Sequence, residues 1–144
     1  YESYNSRRAY ITSSVKVRLH QSSFREKVIS AYRQQCAICK LKHKELLDAA
    51  HIIPDSDPDG IPIVNNGISL CKLHHAAFDK LFIGITPDYH LQVRPDILDE
   101  HDGPMLKFGL QEIEKKKLIL PNSSADWPKR EFLERRFLEF NNSL

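Results

Sequence analysis

Nothing in this chain approaches the length of a membrane span, and its opening, YESYNSRRAY, lacks the apolar stretch of a signal peptide. No membrane partner is expected, and the expected setting is cytoplasmic. A strong charge of either sign is also missing. Lys and Arg number 21 against 19 Asp and Glu, a formal +2. That balance permits nucleic-acid binding without demanding it, so any basic surface must come from local clusters such as SRRAY, VKVRLH and EKKKL. There is no internal repeat and no low-complexity segment. Cysteine is scarce: the chain has three. Three thiols cannot all pair within one chain, which points away from a disulfide framework and towards a metal site. The chain begins at Tyr1 rather than an initiator methionine, so a longer parent protein is expected.

What is present is an ordinary globular balance. The 144 residues are 41% hydrophobic and 28% charged, enough for one domain with a modest core. Residues 1–21 read as an extended arm, with VKVRLHQ alternating like a short strand from Val15. SSFREKVISAYRQQ reads as a helix, with Ser23 and Glu26 as a capping box and Phe24, Val28 and Tyr32 as its buried stripe. CAICK is a tight knuckle. ELLDAAHII is strand-like and ends at Pro54. Residues 54–67 hold three prolines, two glycines and two adjacent asparagines, and so form a long loop of the kind that carries function. CKLHHAAFDKLF returns to helical spacing. FIGITPDYHLQV suggests a hairpin turning at Pro87 and Asp88. KKKLILP reads as a short strand. A last helix starts near Pro128 and puts Leu133, Phe137 and Phe140 on one face.

Cys36 and Cys39 form one i, i+3 pair, and Cys71 and His74 form a second. Two such pairs can close a tetrahedral zinc site of three thiolates and one imidazole, a set that suits a borderline-soft ion with little geometric preference. The 32 positions from Cys39 to Cys71 exceed a finger's spacing, so the ion would pin the intervening loop at both ends. A closed structural site of this kind contributes directly to folding.

A second set remains: His51, Asn65, Asn66, His75 and Asp79. His75 and Asp79 lie four apart on the expected helix and share a face. Imidazole and carboxylate donors there suit a hard divalent cation such as Mg²⁺, Mn²⁺ or Ni²⁺, with water completing its shell. His51 ends the preceding strand and faces the same cation if strand and helix pack together.

These residues, in AAHIIP…NNGISLCKLHHAAFD, resemble the HNH nuclease motif of the ββα-metal fold. The resemblance runs from about Cys36 to Val93. His51 matches the first motif histidine, Asn66 the asparagine and His75 the second histidine. Asp79 matches the further ligand of colicin-type nucleases. With CAIC and the lead-in RLHQSSFREKVISAY, the wider pattern is similar to HNH restriction endonucleases of bacteria. The implied fold is α+β, a zinc-stabilised ββα-metal (His-Me finger) HNH core with flanking helices. Three segments follow: 1–35, an arm and helix; 36–93, the zinc-bound nuclease core; 94–144, an extension with a terminal helix.

The resemblance also implies roles. His51, as neutral imidazole, would take the proton of the attacking water. A cation at His75 and Asp79 would bind the scissile phosphate and stabilise the leaving 3′ oxygen. Asn66 would bond loop backbone and orient His51. The products would carry 5′-phosphate and 3′-hydroxyl ends. Many family members have a metal-ligating acid or histidine just before the first histidine, where this chain has Ala50. Either the cation keeps more water or another acid, Asp48 or Asp79, compensates. Strand alternation puts Asp48 on the same side as Ala50 and makes it a distant substitute.

The expected substrate is double-stranded DNA, with phosphate contacts from Arg7, Arg8, Lys16, Arg18 and Arg25. Specificity is expected from an N-terminal DNA-recognition domain outside this chain, or from a homodimer that cuts both strands. Two rival readings are a non-catalytic zinc-stabilised DNA-binding module and a nuclease of a toxin or a mobile element. The first has no need for His51, Asn66, His75 and Asp79 together.

Overall fold

The computed structural model describes residues 11–12, 15–16, 22–101 and 103–144. Of the expected arm, only Ile11, Thr12, Val15 and Lys16 are described, and all four are helical rather than extended. Val15 and Lys16 are thus helical where the alternation suggested a strand, and the rest of VKVRLHQ lies outside the described residues. Helix α1 covers residues 22–31. Because Ser22 is already helical, Ser23 lies inside the helix and does not cap it. Phe24, Val28, Ile29 and Tyr32 are all buried, so the four-residue stripe does face the core. The chain then reverses through Arg33 and Gln34, both at positive φ.

The knuckle that follows is closed by Lys40 N–H donating to the Cys36 carbonyl at 3.0 Å and Cys36 N–H to the Leu41 carbonyl at 3.0 Å. Strand β1, Leu47–His51, pairs antiparallel with β2, Gly67–Cys71. The sequence reading passes from loop to helix and misses β2. Every one of its residues is buried, so GISLC carries no two-residue alternation to read. The loop between the strands ends in a short 3₁₀ turn, Val64–Asn66.

Helix α2, Lys72–Asp79, starts at the end of β2 and packs on β1 and β2. This completes a strand–strand–helix unit. Helix α1 closes on the same hairpin at Gly67. A Cβ there would sit 2.5 Å from Val28 Cγ2 and 2.8 Å from Phe24 Cζ, so only glycine lets helix and strand approach this closely.

A second antiparallel pair, β3 (Ile83–Ile85) and β4 (Leu91–Val93), forms the expected hairpin, with Tyr89 at φ 68° in its turn. Lys117 makes a single bridge to His90, less than the expected strand. Short helix α3, Pro95–Leu98, and a π-helical turn, Met105–Leu110, were not anticipated. Helix α4, Arg130–Asn142, begins two residues after Pro128. Leu133 and Phe140 are buried, while Phe137 is only half-buried and stacks beside Phe140. Phe140 packs flat on Gly84, where a Cβ would meet its ring at 2.6 Å. The architecture is α+β. Among the described residues no helix is long and apolar enough to cross a membrane.

Candidate metal and active site

The knuckle, with Cys36 and Cys39, and the junction of β2 and α2, with Cys71 and His74, bring the four sulfur and imidazole donors together. The Sγ atoms of Cys36, Cys39 and Cys71 and a ring nitrogen of His74 all lie within 4.8 Å of one another. The individual edges are 3.9 Å from Cys39 to Cys71, 3.2 Å from Cys71 to His74 Nδ1 and 3.7 Å from Cys36 to His74 Nδ1. Tetrahedral zinc with its ordinary bond lengths needs edges of about 3.5–3.8 Å, so the donors fit the ion. His74 is buried, and its Nε2–H donates to the Gly109 carbonyl at 2.7 Å. That bond leaves Nδ1 as the lone pair facing the sulfurs, the usual way an outer partner fixes a ligating histidine. Gly109 lies in the π-helical turn and carries no sequence signal for this duty. The crowded sulfurs also perturb one another. Hydrogen bonds with Cys39 and Cys71 drive the Cys36 thiol well below its ordinary pKa, and hydrogen bonds with Cys36 and Cys71 push Cys39 above its own.

Of the second set, His51 and His75 line one cavity of about 400 Å³, together with Phe24, Arg25, Asp48, Ala49 and Asp55. His51 sits at the end of β1 opposite Gly67. Its ring stacks on Phe24, with centroids 4.3 Å apart and planes at 22°. Burial pushes its pKa below the ordinary 6.5. Asp55 and Asp79 pull upward and His75 downward, without reversing that direction.

Asn66 is fully buried. Its Oδ1 accepts from Ile53 N–H at 2.8 Å, and its Nδ2 donates to the carbonyls of Ile53 and Ile61, each at 3.0 Å. It thus ties the chain just after His51 to the far side of the loop. Its neighbour Asn65 points outward and donates to the carbonyls of Ala125 and Trp127.

His75 is held between two carboxylates. Its Nδ1 lies 2.8 Å from Asp48 Oδ2, and its Nε2 lies 3.1 Å from Asp79 Oδ2. Asp48 is therefore not the distant residue that strand alternation suggests. Strand β1 pairs with β2 alone, so its outer edge is open, and side chains from both its faces border the cavity there. Burial acts to raise the Asp48 pKa, but Lys72 and His75 outweigh it and hold the carboxyl below its ordinary value. Lys72 Nζ is 2.5 Å from Asp48 Oδ1. Arg136, reaching in from α4, is 3.5 Å from Asp79 Oδ1. Nitrogen and carboxylate donors around a water-accessible cavity suit a hard divalent cation. Among the described residues, however, only the sulfur cluster has three or more donors already converged.

Of the expected DNA contacts, Arg7, Arg8 and Arg18 lie outside the described residues. Lys16 is exposed. Arg25 donates to the carbonyls of Lys44 and Leu47, at 3.2 and 3.0 Å, and so braces α1 against the start of β1. The sequence reading did not pick out Phe24 as a partner of His51, nor Asp55, Lys72 or Arg136. Asp55 had a faint signal, lying four residues after His51. Arg136 had none, because 57 positions separate it from Asp79.

Residues 36–86 match the family model described as HNH endonuclease. Over that segment the core is similar to HNH endonucleases. Among solved structures, the chain is similar to a "Modification dependent TagI restriction endonuclease". The TM-score is 0.56 at 15% identity, over 81% of this chain and 37% of that one. At that identity the likeness is one of fold, and this chain spans little more than a third of the other's length. No curated protein sequence matches the chain.

Proposed function

We propose that this chain is a divalent-metal-dependent DNA endonuclease domain and the catalytic part of a bacterial restriction endonuclease. The observation that carries the reading is the shared cavity, in which His51, Asp48, Asp55 and His75 meet. His51 would act as general base. Its lowered basicity keeps it neutral and able to accept a water proton near neutral pH. Phe24 fixes its ring plane, and Asn66 fixes the backbone that follows it. His75, with Asp79 or Asp48 beside it, would hold the cation. When bound, that cation supplies Lewis acidity at the scissile phosphate and the leaving 3′ oxygen. Zinc at Cys36, Cys39, Cys71 and His74 would have a scaffold role only.

The core would run over 36–93, with 1–35 and 94–144 as its flanks. The later flank is tied in closely. Arg135 on α4 pairs with Asp57 and Asp59 of the loop, and Arg136 reaches Asp79. Basic side chains of the first flank, Lys16 and Arg25 among them, would meet phosphates of double-stranded DNA. Site choice would fall to a recognition domain outside this chain or to a homodimer, in a bacterial cytoplasm. The test is a cleavage assay on modified and unmodified plasmid with Mg²⁺, Mn²⁺, Ni²⁺ or EDTA. Nicking with a divalent cation that disappears in His51→Ala supports the reading. Full activity in EDTA overturns it.

A further inference from the structure

We propose that Asp48 is the carboxylate that ligates the cation, and that Asp79 is a positioning residue acting on His75 from the opposite side of its ring. This rests on the nuclease reading above and assigns roles that the motif spacing leaves open. An imidazole offers one lone pair when neutral. If one ring nitrogen of His75 binds a cation, the other carries a proton and needs an acceptor. The two acids on the two nitrogens must therefore do different work.

Four observations assign them. Asp48 lines the cavity together with His51 and His75, whereas Asp79 does not. The second oxygen of Asp79 faces Arg136, a guanidinium whose side chain is only 11% exposed. Arg136 lies over the Phe78 ring at 4.5 Å and donates to the Phe78 carbonyl at 3.2 Å, so it is anchored to the end of α2. The second oxygen of Asp48 faces Lys72, whose side chain is 58% exposed. A lysine on a flexible stem in water is cheaply displaced, so Lys72 is a stand-in positive charge where a cation would sit. Lastly, Ala50 is completely buried in the apolar cluster. An acid at that position would point into the core, which leaves Asp48 to supply the missing oxygen.

The experiment is calorimetric titration of Mn²⁺ into the zinc-loaded chain, with zinc content and thermal unfolding recorded for each variant. Asp48→Asn should weaken Mn²⁺ binding by more than the roughly 10–100-fold that loss of an outer partner costs. Asp79→Asn keeps an oxygen that can accept from Nε2–H, and should stay within about threefold of the parent. Asp79→Leu, which cannot accept, should cost about tenfold. Lys72→Met should tighten binding severalfold, because it removes a competing positive charge. That variant also keeps the proposal testable if Asp48→Asn does not fold. Loss of Mn²⁺ binding in Asp79→Asn but not in Asp48→Asn overturns the assignment while leaving the nuclease reading intact. So does unchanged or weaker binding in Lys72→Met. Absence of Mn²⁺ binding in the parent chain overturns both.

Discussion

The two donor clusters lie on different sides of α2 and are built in opposite ways. At the sulfur cluster every donor already faces the others, His74 is buried, and its second nitrogen is fixed by Gly109. At the cavity the donors are paired with one another instead. His75 is capped on both nitrogens by carboxylates, and each carboxylate is balanced by a cationic side chain. The first arrangement would commit the chain to an ion as part of its fold. The second, on the proposed reading, would keep charge neutralised until an ion and a phosphate compete for the same groups. Adjacent residues, His74 and His75, serve the two centres. One helical step of about 100° turns them to different sides.

Removing the zinc separates the two regions most sharply. Binding energy at such sites reaches about 10–16 kcal/mol, comparable to or above the whole stability of a typical domain. Chelation of zinc, or Cys71→Ser, should therefore unfold the core, seen as loss of both near- and far-UV circular dichroism. A chain that keeps its fold without zinc would break the contrast.

At the cavity the reverse is expected. His51→Ala should reduce plasmid nicking about 10²–10⁴-fold while moving the unfolding temperature little. The pH profile sharpens this. A base works unprotonated, and burial sets the His51 pKa below 6.5. Nicking should thus be level from pH 8 to about 6.5, then fall as pH drops through the lowered pKa. An inflection between about pH 6.5 and 8 would refute the role.

Asn66→Ala sits between the regions. It strands Ile53 N–H and two carbonyls in the interior, at a cost of about 2–4 kcal/mol, readable by urea denaturation with the zinc site intact. The smallest effect is expected for Arg135→Ala. Its pairs with Asp57 and Asp59 are solvent-exposed and worth under about 1 kcal/mol. Faster hydrogen exchange of amides 57–66 would be the clearer sign.

Much of this was legible because it is local. Pairs spaced i, i+3 identify the sulfur cluster, and an i, i+4 pair puts His75 beside Asp79. The stripe of Phe24, Val28 and Tyr32 foretells the face of α1. What was not legible depends on packing. Strand β2 is buried on both faces and shows no alternation. The helical state of Val15 and Lys16 goes against a sequence that alternates from that point. Asp48 was misjudged because alternation describes an ideal strand inside a sheet, and β1 has an open edge. Lys72 and Arg136 enter through contacts that no spacing rule connects.

Two successive arginines on α4 tie it to different elements near the cavity, Arg135 to the loop at Asp57 and Asp59 and Arg136 to the end of α2 at Asp79. For anyone grafting this domain onto a targeting module, the C-terminal junction belongs beyond Asn142. A splice made earlier would remove a buttress that lies well outside the segment resembling the HNH motif.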